Sequence, residues 1–248
     1  MDITSARDFL GEVISKHPFP ENAYETVYLR KHMKRYKDSC DLIAASCPVD
    51  QPLLSAGCEP GHIEMLLKQF YGFTNVSGLS YRTSDEFIAR MAAFGIPILQ
   101  CDLENDPIPC KDEQFSSIVF LEAMEHMFNG VPFALKEMRR AVSSDGCIVL
   151  STPNLAQLRN RWKLLKGKSV NWPLHGTKNF FGQPVHLRHN REYTMKELDY
   201  LLQQADFQTV SRQFRDYSPR VLMRFFNSLY PTFKGNMFFV AKPTSGQI

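Results

Sequence analysis

Two short runs of the chain, residues 118–121 and 147–150, contain only apolar side chains. A strand that is apolar on both faces must be covered on both sides, which is typical of the central strands of a parallel sheet. A helical stretch over residues 132–142 and a turn at residues 144–146 separate the two runs. The pattern therefore predicts a buried strand, a crossover helix and a second parallel strand.

The same alternation extends to both sides of this unit. Candidate strands at residues 52–56, 75–79 and 96–99 precede it, and further candidate strands at residues 207–214 and 235–241 follow it. Two helices between these runs carry capping signals. Ser84 precedes Asp85 and Glu86 at the start of one, and Thr194 with Glu197 forms a capping box at the start of another. Strands that alternate with helices predict an α/β fold, a doubly wound, mostly parallel, seven-stranded Rossmann-like sheet.

Charge and cysteine usage restrict the partners. A net charge of +3 over 248 residues is too small to indicate nucleic acid, so we expect a small-molecule or glycan substrate. The six cysteines lack the paired spacing of a zinc site or a disulfide framework, so we expect reduced thiols and no metal. The N-terminus does not resemble a signal peptide, and no stretch approaches the roughly eighteen apolar residues of a membrane span. We expect a cytoplasmic protein, with peripheral membrane contact left open.

Small and polar residues follow the first four predicted strands. Gly57 to Gly61 follow the first, Ser80 ends the second, and residues 101–104 and 122–126 follow the third and fourth. Ligands of open α/β sheets bind beyond the carboxyl ends of the strands. Two glycines allow a sharp turn, and the start of the following helix offers free amides to a ligand. The four segments together predict one ligand site at this edge.

These segments resemble the class I S-adenosylmethionine (SAM)-dependent methyltransferases, in particular the branch that acts on quinones, sugars and lipid-linked glycans. The resemblance covers about residues 28–243, and it is carried by LLSAGCEPGHIEMLL, CDLENDPIPCKDEQFSSIVFLEAMEHM, LKEMRRAVSSDGCIVLSTPN and HNREYTMKELDYLLQQADF. It implies SAM as the cofactor of a single domain. We expect a helical N-terminal cap over residues 1–48, a cofactor-binding core over 49–153, a lid insertion over 154–190, and C-terminal strands and helix over 191–248.

The resemblance also implies which residues hold the cofactor. Asp102 should receive the adenine amino group, Leu103 should flank the ring, and Glu122 with Ala123 should line the methionine end. The implied cofactor-binding residues are Gly57, Cys58, Glu59, Gly61, Ser80, Tyr81, Asp102, Leu103, Glu122 and Ala123.

Three positions depart from the family. Ser55 and Ser80 stand where an acidic residue is usual, and Glu59 stands where glycine is usual. A serine at position 80 cannot replace the carboxylate that takes both ribose hydroxyls, and we expect Glu59 to face the ammonium group of the cofactor. These departures keep two functions open: SAM-dependent O-methylation of a sugar, glycan or other small metabolite, or a catalytically inactive scaffold that serves as a binding partner or regulatory subunit. A nicotinamide-dependent dehydrogenase is disfavoured, because the first turn lacks the GxGxxG spacing.

His126 and His189 are the candidate catalytic residues. A neutral hydroxyl is a poor nucleophile, so a general base within hydrogen-bond reach assists its methylation. The alternatives are that His126 orients the loop after the fourth strand and that His189, with His186 and Arg191, belongs to a solvated face. We expect residues 154–190 to form a mobile lid, and residues 220–234 to form a helix that packs on the core or, less expected, binds a membrane surface or a second subunit.

Overall fold

A computed structural model of the chain describes residues 1–18, 22–81, 83–171, 189–218 and 221–244. Seven strands form one sheet in the order β3-β2-β1-β4-β5-β7-β6. They are β1 (Leu53–Ala56), β2 (Val76–Ser80), β3 (Ile98–Gln100), β4 (Phe115–Leu121), β5 (Val142–Pro153), β6 (Phe207–Arg215) and β7 (Asn236–Pro243). The first five strands are parallel, and β7 runs antiparallel between β5 and β6. The α/β fold class predicted from the sequence is confirmed.

Eight helices are seen in the described residues: α1 (Ile3–Lys16), α2 (Asn22–Ser46), α3 (His62–Tyr71), α4 (Asp85–Ala93), α5 (Val131–Ala141), α6 (Leu158–Leu165), α7 (Met195–Gln204) and α8 (Val221–Leu229). Short 3-10 helices cover Met124–His126 and Pro231–Phe233. Both predicted caps are present: Ser84 accepts from the amide of Phe87, and Thr194 and Glu197 form a reciprocal capping box. Among the described helices, none combines the length and the apolar character needed to cross a bilayer.

Helices cover both faces of the sheet. One apolar cluster joins the sheet to α1, α2, α3 and α4, and the other joins it to α5 and α7. The central run predicted from residues 118–121 is completely enclosed between them, with Ile118 and Val119 fully buried. Apolar side chains on both faces of β4 are therefore explained by burial on both faces.

A buried polar network fixes α2 across one end of the sheet. The carboxylate of Glu25 on α2 accepts from Arg90 of α4 at 2.5 Å and pairs with the Nε2 atom of His62 at 2.8 Å. The other ring nitrogen of His62 pairs with the Tyr36 hydroxyl at 3.0 Å. Arg90 and His62 are almost fully buried. Because buried charges and polar groups need partners, this network holds α2 in one position against α3 and α4.

Several local predictions differ from the structure. The helical cap expected over residues 1–48 contains two helices, α1 and α2. The turn expected at residues 144–146 lies within β5, where the register with β4 jumps from Val142 to Cys147. The expected lid contains α6 in its first part, and residues 172–188 of that segment lie outside the described residues. Its mobility therefore stays a prediction.

Helix α8 also differs from expectation. Its apolar side chains Phe225, Phe226 and Leu229 are between 42% and 60% exposed, so they do not pack on the core. The helix has the expected amphipathic character, but its described apolar side chains lie at the surface. The preference for a core-packing helix at residues 220–234 was therefore wrong for this part of the chain.

Candidate functional site

A cavity of about 100 Å³ lies under α2 at the carboxyl ends of β1 and β4. Pockets that enclose a drug-sized ligand have volumes of about 300–1,000 Å³, so this cavity encloses one end of such a ligand. Its walls come from α2, from the β1–α3 segment and from the end of β4. The lining residues are Tyr28, Arg35, Tyr36, Ser39, Ser55, Ala56, Gly57, Cys58, Glu59, Pro60, His62, Ile63, Glu64, Leu121 and Glu122.

The two glycines of the β1–α3 loop are required by backbone geometry and by packing. Gly57 and Gly61 have φ angles of +71° and +87°, in the left-handed region that side chains disfavour. A Cβ atom on Gly57 would lie 2.7 Å from the Cβ atom of Ala123. Gly61 is the N-cap of α3, so the first residues of this helix, His62 to Glu64, form part of the cavity wall. The loop therefore brings a helix N-terminus to the ligand edge of the sheet.

A buried carboxyl group stands beside Ser55. The Ser55 hydroxyl, at the end of β1, donates a hydrogen bond to Oε1 of Glu64 in the first turn of α3. Glu64 is 2% exposed, and its second oxygen, Oε2, has no hydrogen-bond partner among the described residues. Burial raises the pKa of Glu64 to about 7, although the Ser55 hydrogen bond opposes this shift. The cavity wall thus carries a carboxyl oxygen that can accept a hydrogen bond or pair with a cation.

A second serine and glutamate meet at the end of β2. The Ser80 hydroxyl lies 3.4 Å from Oε2 of Glu59 and donates to it. Ser80 is buried, whereas Glu59 comes from the β1–α3 loop and lines the cavity. The carboxylate expected at the second strand end is therefore replaced in space by one from the neighbouring loop.

Glu122, directly after β4, is part of a partly buried ion pair. Its carboxylate accepts from Arg35 of α2 at 2.6 Å, from Ser151 at 2.9 Å and from Asn236 at 3.1 Å. Burial alone would lower the pKa of Arg35, but the Glu122 charge and Tyr28 reverse this and raise it, so the guanidinium stays charged. Glu122 has a φ of +51°, which is costly for a residue with a side chain. The turn after β4 is thus held in a sparsely populated conformation by a fully bonded carboxylate.

The remaining predicted cofactor residues have different environments. Both oxygens of Asp102 accept local hydrogen bonds, from the Glu104 amide at 3.0 Å and from Asn105 Nδ2 at 2.9 Å. Each carboxylate oxygen has a second lone pair, so these bonds leave room for an adenine amino group. Leu103 packs against the core and Tyr81 is 52% exposed. The Cys58 side chain is buried beside Gly78 of β2, and Cys58 is one of the residues that line the cavity.

The two candidate catalytic histidines lie together, although 62 residues separate them in the sequence. The ring centroids of His126 and His189 are 5.2 Å apart, in an edge-to-face arrangement. Glu125, next to His126, is almost fully buried, and its side chain accepts from Thr152 Oγ1 at 3.1 Å. Burial and the nearby charge of Glu122 raise the pKa of Glu125 well above its usual range.

Sequence reasoning missed three residues of this site. Arg35 is one basic residue in a basic helix, and nothing in the local pattern separates it from its neighbours. Glu64 lies in the first turn of a helix, where an acidic residue normally interacts with the helix dipole at the surface. Glu125 has no role of its own among the sequence-based expectations, in which only its neighbour His126 is a candidate. The importance of these three residues depends on what packs around them in the fold. A pattern within one segment of the sequence therefore does not identify them.

Comparisons with known proteins agree with this geometry. A family model described as a methyltransferase domain matches residues 28–212, more than half of the chain. A search of curated proteins gives no match. Among solved structures, the PH0226 protein from Pyrococcus horikoshii is similar with a TM-score of 0.61 and 17% identity, covering 86% of this chain and 91% of that chain.

Two methyltransferases show the same fold. One, from Thermotoga maritima, is described as a possible histamine N-methyltransferase; it has a TM-score of 0.60 and 15% identity and covers 93% of this chain and 98% of that chain. The other is the 1,6-didemethyltoxoflavin-N1-methyltransferase of Burkholderia thailandensis, with bound 1,6-didemethyltoxoflavin and S-adenosylhomocysteine. It has a TM-score of 0.59 and 14% identity and covers 97% of this chain and 87% of that chain. The chain therefore belongs to the methyltransferase-domain family and is a SAM-dependent methyltransferase.

Proposed function

We propose that this methyltransferase transfers the methyl group to an oxygen of a sugar, glycan or other small metabolite in the cytoplasm. The observation that supports a working cofactor site is the pairing of Ser55 with Glu64 and of Ser80 with Glu59. Each serine occupies a position where the resemblance leads one to expect an acid, and each contacts a carboxyl group from another position. The acidic character of the site is thus kept while its sequence positions change.

In this proposal the cavity holds the amino-acid end of SAM. In this proposal Glu64 accepts from the cofactor's ammonium group, because its Oε2 atom is buried and lacks a partner among the described residues. A buried acceptor without a partner is costly, and an ammonium donor would remove that cost. Glu59 takes the ribose hydroxyls together with Ser80. This differs from the expectation that Glu59 faces the ammonium group, and it rests on the hydrogen bond between Ser80 and Glu59.

SAM, when bound, supplies a methyl group on a sulfonium, and its transfer to a hydroxyl forms a C–O bond, breaks the S–C bond and releases one proton. His126 and His189 are the groups proposed to assist the loss of that proton. Their rings adjoin next to the turn that carries Glu122, and the hydrogen bond between His189 Nδ1 and Glu192 at 3.1 Å orients one of them. Holding the acceptor in line with the methyl group is the larger part of catalysis in such a displacement.

The proposed compartment rests on the cysteines. Each of the six, all within the described residues, is a free thiol. The Sγ atoms of Cys47 and Cys147 lie 3.6 Å apart without a bond between them. Free thiols at such short range are typical of a reducing compartment.

The inactive-scaffold alternative rested on Ser55, Glu59 and Ser80 as lost cofactor contacts. The pairing of the two serines with carboxyl groups counts against it, because keeping the acid Glu64 buried in the cavity wall is costly unless the site uses it. Titration calorimetry with SAM and S-adenosylhomocysteine tests the proposal. We expect saturable binding of both at one site per chain. Absence of binding by the folded protein would favour the scaffold.

A further inference from the structure

A cluster of three potential metal ligands lies beside the proposed cofactor site. Glu125, His126 and His189 each offer one ligand atom, and these atoms all lie within 4.8 Å of one another. Glu125 and His126 belong to the 3-10 helix that follows β4, three and four residues after Glu122. The cluster therefore lies at the ligand edge of the sheet, next to a residue of the cavity wall.

Backbone hydrogen bonds hold the distant member of the cluster in place. The amides of Asn190 and Arg191 both donate to the carbonyl oxygen of Glu125, at 2.7 and 3.2 Å. The side chain of Asn190 donates to the carbonyl oxygen of His126 at 2.6 Å. Three hydrogen bonds thus attach residues 190 and 191 to the 3-10 helix, and none of these bonds involves a histidine ring. The fold, and not an attraction between the rings, brings His189 to the other two groups.

Hydrogen bonds from surrounding residues orient the side chains of the cluster, as is usual for metal ligands in proteins. His189 Nδ1 pairs with Glu192 Oε1 at 3.1 Å, and Asn160 donates to the other oxygen of Glu192 at 3.0 Å. Thr152 Oγ1 donates to Glu125 Oε2 at 3.1 Å. A histidine that binds a metal commonly donates its other ring N–H to a carboxylate, which fixes the tautomer and makes the free nitrogen more basic. The bond to Glu192 orients the His189 ring and favours the tautomer with the proton on Nδ1.

We propose that Glu125, His126 and His189 form a binding site for a divalent first-row transition-metal ion. Two imidazole nitrogens and one carboxylate oxygen are a donor set that such ions favour, and a dication would neutralise a carboxylate that is buried away from water. The site revises the expectation, drawn from cysteine spacing, that the chain binds no metal. A Glu-His pair with a remote histidine gives no recognisable ligand spacing in the sequence.

Three protein ligands leave coordination positions open to a substrate. Resting on the proposed function, we assign these positions to the oxygen of the methyl acceptor, whose proton is lost more readily when a cation binds it. The two histidines would then assist proton loss through the ion and not by accepting the proton themselves. The metal site and the cofactor site remain separable, because different residues form them.

Cobalt binding to the tag-free, chelator-treated protein tests the site. Co²⁺ is a suitable probe because thiolate ligands give it intense near-ultraviolet charge-transfer absorption, whereas imidazole and carboxylate ligands give only weak visible bands. We expect one equivalent to bind with visible bands and no thiolate absorption. His126→Gln and His189→Gln should each weaken binding by about tenfold or more, and Glu192→Gln should weaken it by about 10- to 100-fold. His17→Gln, a histidine change in the N-terminal region, is the matched control and should bind as the wild type does.

The outcomes separate the metal site from the proposed function. Unchanged Co²⁺ affinity in folded His126→Gln and His189→Gln proteins, thiolate absorption, or no stoichiometric binding by the wild type would overturn the metal site. Calorimetry with SAM on the same metal-free wild-type protein reports on the cofactor site alone. Binding of Co²⁺ without binding of SAM would leave the metal site standing and remove the proposed function. Binding of SAM without binding of Co²⁺ would support the cofactor site and remove the metal site.

Discussion

The hydroxyl of Ser55, the third residue of β1, donates to the carboxyl group of Glu64, which lies one turn into α3 and is almost fully buried. This contact places an acid at the carboxyl end of the first strand although the strand itself ends in small residues. Burial raises the pKa of three nearby groups, and the charge of Glu64 adds a smaller part to each shift; the three are Tyr36 and Cys40 of α2 and Cys58 of the loop. The carboxyl group therefore affects the electrostatics of the whole cavity wall.

Stability should depend on pH through Glu64. Its pKa is about 7 in the folded protein, against an ordinary value of 4.5, so the folded state holds a proton that the unfolded chain releases between these values. This contribution to the free energy of unfolding is present below pH 4.5 and is lost as the pH rises to about 7. Its full size is about 3 kcal/mol. Urea unfolding between pH 4.5 and 8 measures it.

Two variants serve as controls for this effect. Glu64→Gln keeps the shape of the neutral side chain but has no group that titrates. The stability of this variant should therefore fall less than that of the wild type over the same pH range. Ser55→Ala removes the hydrogen bond that lowers the pKa, so the loss should extend to higher pH. Identical pH profiles for the wild type and Glu64→Gln would show that folding does not raise the pKa of Glu64.

Measurements of SAM binding should show that a carboxylate at either position 59 or position 80 is sufficient for the cofactor contact. Restoring the usual acid with Ser80→Asp alone should weaken SAM binding, because the new carboxylate would lie against that of Glu59. Glu59→Gln alone should weaken it about 10- to 100-fold, since a charge-assisted contact worth about 1–3 kcal/mol is lost. The double variant Glu59→Gln with Ser80→Asp should recover most of the affinity. Calorimetry on the four proteins forms a double-mutant cycle.

The result of this cycle decides whether Glu59 of the β1–α3 loop contacts the ribose or lies away from it. If Ser80→Asp alone strengthens SAM binding, the sequence-based expectation holds and Glu59 lies away from the ribose. If the effects of the two changes simply add, the two positions act independently.

Asp102→Asn should weaken SAM binding about tenfold, because an adenine amino group needs an acceptor that water does not replace in an apolar slot. Asparagine can still accept from the Glu104 amide, so the local turn should persist. The measurement is calorimetry with SAM and S-adenosylhomocysteine, which share the adenine. Asn105→Ala, which removes only the donor of the second local bond, is the control and should bind normally. Unchanged affinity in Asp102→Asn would mean that the adenine lies elsewhere.

Arg35→Met should destabilise the fold by more than the roughly 1 kcal/mol of an exposed pair and less than the roughly 3–5 kcal/mol of a fully buried one, because it leaves the Glu122 carboxylate, which is 14% exposed, without its cation. Neutralising the partner as well, in Arg35→Met with Glu122→Gln, should recover part of this loss. Chemical denaturation of the wild type, both single variants and the double variant gives the coupling between the two residues. A loss of less than about 1 kcal/mol in Arg35→Met is typical of an exposed pair and would contradict the burial of this one.

The sequence by itself determined the fold class, the order of the central strands and helices along the chain, and the edge of the sheet where the candidate site lies. Each of these follows from local information. Apolar runs such as residues 118–121 need burial on both faces, capping residues such as Ser84 fix helix starts, and strand ends share one edge of a parallel sheet. The family resemblance pointed to the cofactor through segments that are contiguous in the chain.

Only the tertiary structure decided how the site is built from side chains. Nothing in the local sequence distinguishes Glu64 and Glu59 from other acidic residues. They contact Ser55 and Ser80 because neighbouring strands and the β1–α3 segment come together in the fold. His189 meets His126 because backbone bonds join their segments across the fold. Whether a charged side chain is exposed or buried depends on what packs over it. That property belongs to no single segment, so the acids and the histidine pair become visible only when the whole chain is folded.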